Sequence, residues 1–338
     1  MFFQANSRRK WYTEHKMGNL FLSVCFILIF LCSAPQVLAA EVLGVHILNT
    51  GELDAAGALI KNAQTQDQWD YVTIPFTLDD THRLSDWQRF FFQARELKFQ
   101  PIVRLVTRFE NDSWIVPTQK DVVDLTAALS SLEWPMPNER IVVVFNEPNH
   151  ANEWGGSVDP EGYAGILEFT GYWLHAEGVG YVVLPAGLDL SAPNGKSTVE
   201  AFAYMERMFR SHPDVLEIVD GWASHSYPNP GFTASPTAQG KTSLRGFEFE
   251  LAFLKKYTQK EFPIYITETG WVETKQTARW LSQYYEYAVT HVWSDPRIRA
   301  VTPFVLKGAP GMFSQFSFYD SQGKPTLHFN AYKKALGK

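Results

Sequence analysis

Short apolar runs rich in valine, isoleucine and tyrosine recur along this chain at an almost constant interval, and that regularity restricts its fold more than any other feature. The runs begin near Val42, Tyr71, Pro101, Ile141, Tyr181, Gly221, Pro263 and Val301, at spacings of 29 to 42 residues. Each is followed by polar turn residues and then by a segment with apolar residues three and four apart, the helical period. Those helical segments are expected over residues 55–63, 85–97, 120–132, 163–177, 197–209, 244–256 and 274–293. A strand that alternates with a helix implies a parallel sheet, either closed into a barrel or open and doubly wound. An open nucleotide-binding sheet carries a glycine-rich turn after its first strand. Here that stretch reads HILNTGELDAAG, with neither GxGxxG nor a P-loop. The expected fold is therefore α/β, a (β/α)8 TIM barrel, for which about 250 residues suffice. No linker, charge block or short repeat interrupts the pattern, so residues 40–338 are expected to form a single catalytic-size domain, with 227–240 one long loop able to border a cleft.

The first forty residues stand apart. Arg8, Arg9, Lys10 and Lys16 precede an uncharged, almost wholly apolar run from Leu20 to Leu31, and small residues follow near Val37, Leu38 and Ala39. That layout is an export signal over residues 1–39, with cleavage after Ala39 or Ala40; the alternative is an uncleaved signal anchor, the one case in which a membrane is a partner. Either way the domain is expected outside the cytoplasm: secreted, periplasmic or at the cell surface. Both cysteines, Cys25 and Cys32, fall inside this segment, so the remaining chain has neither a disulfide nor a thiolate nucleophile and rests on its core alone.

The segment carries a net charge of +3, and the formal charge of the whole chain is −6, which leaves −9 on the domain. An acidic domain repels nucleic acid. Ten of the eleven tryptophans follow the signal, and flat aromatic faces suit neutral, ring-shaped ligands. Paired histidines and HExxH are missing from strand ends, where GVHIL offers only His46, and no GxSxG elbow occurs. No metal and no cofactor is expected, and the chain is expected to work as a monomer.

Barrel active sites lie at the carboxyl ends of the strands. The fourth strand, IVVVFNEPN, places Asn146 and Glu147 there, and the seventh, PIYITETGW, places Glu268 there. Strands four and seven of a closed barrel face one another across its mouth, which brings two carboxylates together although 121 residues separate them. Glycosidic cleavage needs such a pair: one carboxyl protonates the leaving oxygen, and the other, ionised, attacks the anomeric carbon. A separation of about 5–5.5 Å gives retention through a covalent glycosyl-enzyme.

Asn-Glu-Pro on strand four and the Glu on strand seven resemble the clan A retaining glycoside hydrolases, and the likeness spans the mature chain in outline. It implies that Glu147 is the acid/base, Glu268 the nucleophile and Asn146 the ligand of the substrate 2-hydroxyl. In ASHSYP after strand six it implies supporting contacts from His225 and Tyr227 to the nucleophile or the sugar. The ETGW beginning at Glu268 is similar to the endo-β-1,3-glucanase branch. The chain departs from the clan at the eighth strand, where Phe304 and Lys307 stand in place of a tryptophan seen in many members.

Further candidates come from position. Arg104 in PIVRLV is placed to orient the nucleophile or to form a structural ion pair. Trp114, Trp154 and Trp271 follow strands three, four and seven and can stack on pyranose rings or fill core, with Trp271 the best placed. Glu153, in a second Asn-Glu dipeptide, lies six residues deeper into the loop, where strand geometry does not fix it. The expected function is a retaining O-glycoside hydrolase acting on a β-linked oligo- or polysaccharide. Its rivals are a transglycosylase on the same scaffold and a non-catalytic carbohydrate-binding barrel.

Overall fold

Among the described residues eight parallel strands form, each within three residues of its expected start. They are β1 (Gly44–His46), β2 (Asp70–Thr77), β3 (Phe99–Val106), β4 (Arg140–Val144), β5 (Tyr181–Pro185), β6 (Trp222–Ser224), β7 (Ile264–Ile266) and β8 (Ile298–Val301). The computed structural model describes residues 42–62, 67–178 and 180–337, which lie within a compact unit over Leu38–Lys338. The expected signal at 1–39 lies outside the described residues, and no described helix is long and apolar enough to cross a membrane.

The first five strands pair in sequence order as one parallel sheet, and β6, β7 and β8 pair as a second. Two isolated parallel bridges lie between them, Leu43 with Val301 and Asp189 with His225. All eight residues of β3 are buried, the pattern of a parallel strand covered on both faces. One set of side chains packs towards the helices. The other set, Ile102, Ile141, Val143, Leu184, Ala223, Tyr265 and Ala300 with Tyr71 against them, draws on every strand from β2 to β8 and forms a separate inner cluster.

That inner set fixes which side chains emerge at the strand ends, because residues two apart share a face. Arg104 follows Ile102, and His225 and Tyr227 follow Ala223 at two and four residues. At the same level Thr73 and Thr302 bond each other through their hydroxyls at 2.7 Å.

The helices are α1 (Leu53–Ile60), α2 (Leu84–Glu96), α3 (Gln119–Ser130), α4 (Pro160–Glu177), α5 (Ala201–Ser211), α6 (Val215–Ile218), α7 (Gly246–Leu254), α8 (Leu281–Tyr287) and α9 (Leu327–Ala335). Two begin on clear signals. Thr118 and Asp121 form a reciprocal capping box on α3, and Asp159 accepts from Gly162 N at the start of α4, with proline at its first position.

The expected helix over 274–293 is shorter than the pattern suggested. Regular helix begins only at Leu281 and continues past Tyr287 as a π-helical turn over Ala288–Val292, while residues 275–280 before it form turns behind a reciprocal pair of bonds between Thr274 and Thr277. Residues 227–240 contain neither helix nor strand, as expected for the long loop.

Candidate active site

The two glutamates meet. Glu147, Glu268 and His225 each bring one ligand atom within 4.8 Å of the others, although the three residues come from the ends of β4, β7 and β6. The backbone around Glu147 is unusual. Phe145 and Glu147 have φ of 69° and 32°, left-handed values that cost non-glycine residues energy and cluster at functional positions. The loop is pinned on both sides: Glu147 N donates to Gly187 O at 3.2 Å, and the buried Asn149 amide donates to Asp189 O and Val199 O.

Glu268 is buried and surrounded by donors. Arg104 Nη1 donates to its Oε1, and Tyr227 OH donates to its Oε2 at 3.1 Å. His225 Nδ1 lies 4.0 Å from Oε2, and His46 Nδ1 lies 3.7 Å from Oε1. Burial alone would raise the carboxyl, but the charges of His225 and Arg104, together with the Arg104 bond, outweigh it and hold Glu268 at about 2. It stands ionised at any ordinary pH.

The other groups divide by charge. His225 donates from Nδ1 to Glu147 Oε1 at 2.7 Å; burial opposes its charge, yet Glu268 and Glu147 together raise it above its ordinary value. His46 is pushed down to about 3 by burial and the nearby Arg104, so it is neutral, and its Nδ1–H points at Thr267 O, 3.3 Å away. Asn146 is committed at both ends, its Oδ1 accepting from Arg104 at 2.7 Å and its Nδ2 donating to Glu153 Oε2 at 3.2 Å. Burial and the charge of Glu147 push Glu153 up to about 7, against the Asn146 bond.

The structure therefore gathers Glu147, Glu268, Asn146, Arg104, His225 and Tyr227 into one network. Two expected sugar platforms need correction. Trp271 is fully buried, donates from Nε1 to Ala234 O and packs against Tyr284, Tyr285 and Trp293. Trp154 is 1% exposed and packs against Phe145 and Tyr163. Both rings are buried, because the loops after β4 and β7 fold back onto the helices there, and Trp154 reaches the site only as part of the wall of a small notch. Phe304, in place of the missing tryptophan, packs edge-on against His46 and Phe313.

Three further site residues had weak signals in the sequence. His46 was read only as the lone histidine of the strand-one segment GVHIL, insufficient for a metal site. Glu153 returns to Asn146 through a single turn of 3-10 helix at Ala151–Glu153, which no period announces. Gly187 is required by packing, since a Cβ there would lie 2.6 Å from His225 Nε2.

Glu147, His225 and Glu268 are also the described residues arranged to hold a metal ion. Arg104, bonded to Glu268, already places a positive charge beside the position a cation would take.

No family model matches the chain, and no curated protein matches it. Solved structures do. GH5_18 from Streptomyces cattleya in complex with GlcNAc aligns with a TM-score of 0.62 and 15% identity over 88% of this chain and 80% of that one. A family 39 glycoside hydrolase from the gut symbiont Bacteroides cellulosilyticus WH2 aligns with a TM-score of 0.61 and 13% identity over 89% of this chain, which spans 65% of that longer one. A GH128 (subgroup II) endo-β-1,3-glucanase from Pseudomonas viridiflava aligns with a TM-score of 0.54 and 13% identity over 86% and 96%. At such identities the likeness is one of fold, and in fold the chain is similar to glycoside hydrolases of families 5, 39 and 128.

Proposed function

We propose that this protein is a retaining O-glycoside hydrolase that cleaves a β-linked glycan by double displacement. One observation carries the reading: an ionised, fully partnered Glu268 lies with a carboxylate oxygen within 4.8 Å of Glu147. Retaining enzymes keep their carboxyls about 5–5.5 Å apart, whereas inverting ones leave about 6.5–9.5 Å for a water. In this reading Glu268 attacks the anomeric carbon while Glu147 protonates the departing oxygen. Glu147 then takes a proton from the water that releases the sugar. Arg104 and Tyr227 hold the nucleophile in line, and His225 lies between the two carboxylates.

The reading includes closure of the two sheets into one (β/α)8 barrel, supported by the inner cluster drawn from β2 to β8 and by the Leu43–Val301 and Asp189–His225 bridges. It also includes a single catalytic domain over 40–338 and export by the segment 1–39, which amino-terminal sequencing of the secreted protein would test. Similar structures include enzymes described as a β-xylosidase, an endo-β-1,4-glucanase and an endo-β-1,3-glucanase, which sets the panel to be tried.

The experiment is a screen of the mature protein on β-1,3-, β-1,4- and mixed-linkage glucans, mannan, xylan and aryl β-glycosides, with the product anomer followed by proton NMR. A β product formed first from a β substrate, and its loss in E268Q, is the expected result. Inversion, or full activity in E268Q, would overturn the assignment. Lengthened products would show transfer to sugar in place of water.

A further inference from the structure

After β3 the chain forms a short antiparallel hairpin in which Phe109–Glu110 pairs with Ser113–Trp114. Phe109 is 57% exposed and Trp114 half-buried, and their rings meet edge to face at 5.3 Å. The hairpin is fastened to the loop that carries Glu153, because Gly155 N donates to Trp114 O at 2.7 Å. Gly155 has a φ of 65°, and a Cβ there would meet Val116 at 2.6 Å, so this close approach needs glycine.

Trp114, Asn146 and Glu153 line one half-open notch of about 10 Å³, with apolar walls from Leu105, Phe145 and Trp154. That is room for one hydroxyl or one water. Glu153 spends Oε2 on Asn146 Nδ2, and its Oε1 has no hydrogen-bond partner among the described residues. A carboxyl oxygen left open beside an indole is the combination that a sugar ring uses, with its apolar face on the aromatic and a hydroxyl on the polar group.

We propose that Trp114 and Glu153 form a sugar subsite next to the cleavage point, where a neutral pyranose ring of the glycan lies against Trp114 and sets one hydroxyl on the Glu153 carboxyl. This rests on the glycosidase reading above, and it adds which residues recognise the neighbouring ring. Because burial and Glu147 push Glu153 up to about 7, the carboxyl keeps its proton in mildly acidic solution and can both donate to and accept from that hydroxyl. A uronate carboxylate at this position would meet Glu147 and Glu268 close by, so the subsite selects neutral rings.

The test is calorimetric titration of the full mature chain carrying E268Q with cellohexaose, laminarihexaose, mannohexaose and xylohexaose. At least one hexaose is expected to bind. Adding W114A or E153A is expected to weaken that binding about tenfold or more, and E153Q, neutral and of the same shape, by much less. Thermal unfolding of each variant, with W114F as a milder change, separates lost recognition from lost folding.

A folded W114A that binds within about twofold of its parent overturns the subsite, as does binding of no hexaose. So does a loss in E153A that is equally large on hexaose cleavage and on an aryl monoglycoside, because Glu153 would then act only through Asn146. Wild-type protein without turnover but with Trp114-dependent binding would instead overturn the hydrolase reading and leave the subsite standing.

Discussion

The Arg104 guanidinium bonds the Glu268 carboxylate across a sequence separation of 164, and the same Nη1 atom reaches Asn146 Oδ1 at 2.7 Å. One nitrogen thus sets the position of the proposed nucleophile and the orientation of the amide beside it. With Oδ1 turned to Arg104, the Asn146 Nδ2 is the donor end, and it meets Glu153 Oε2 at 3.2 Å.

Removing the guanidinium is expected to act on charge and on geometry. In R104A the Glu268 carboxyl loses a charge that holds it at about 2, so its value rises and more of it is protonated in acid. The acidic limb of kcat/KM should move to higher pH, and kcat should fall about 10²-fold or more even on the plateau. R104K, which keeps the charge but has a shorter reach and lacks the fixed planar guanidinium, should restore part of the limb and little of the rate. A pH–rate series on all three proteins checks this.

The same depressed carboxyl links to stability. Its contribution is fully present above the ordinary value of 4.5 and is lost as pH falls towards about 2. E268Q should therefore lose less stability than wild type between pH 5 and pH 2, as followed by urea denaturation. Parallel curves for the two proteins would contradict the ionised state assigned to Glu268.

Gly187 leaves room for His225. A methyl group there is expected to push the imidazole off Glu147, at a stability cost of about 1–3 kcal/mol and a rate loss of up to about 10²-fold. The measurement is kcat/KM of G187A beside its unfolding midpoint. A G187A protein with wild-type turnover would show that the 2.7 Å His225–Glu147 bond is dispensable.

Glu250 makes a different pH prediction. It is buried on α7, accepts from Trp222 Nε1 and Ser224 Oγ on β6, and is pushed up to about 7 by burial. An acid whose folded value is raised stabilises the fold most below its unfolded value, and stability falls as pH rises from about 4.5 towards about 7. E250Q cannot ionise. It should match wild type at pH 4 and exceed it at pH 8 by on the order of 2 kcal/mol. Denaturant titrations at the two pH values decide it.

Trp271 serves to tell core from platform. As a fully buried ring it should cost about 3–5 kcal/mol when truncated to alanine. A W271A protein of undiminished stability with weakened glycan binding would restore the stacking role expected from its place after β7.

Much of the site was legible from position along the strands: Glu147 and Glu268 lie at strand ends and Arg104 lies on the third strand. His225 and Tyr227 were expected only from the resemblance that ASHSYP carries, because Tyr227 lies past the end of β6, where strand alternation no longer applies. The tryptophans were not legible in this way. Trp154 and Trp271 lie in loops, where no period fixes direction, and burial of their large apolar area drew them into the core.

Glu153 shows the limit most clearly. Its distance along the chain from Glu147 said nothing about its return to Asn146, which depends on the left-handed backbone at Phe145 and Glu147 and on a turn of 3-10 helix.

By itself the amino-acid sequence determined the alternation of strand and helix and the strand ends at which the two glutamates lie, because these follow from local periods of two and 3.6 residues. Only the tertiary structure decided that Glu268 is ionised, that Glu153 lies at the notch beside Trp114 and that Trp271 is core. Charge state and loop direction depend on which distant groups come within a few ångströms, and no local period encodes that.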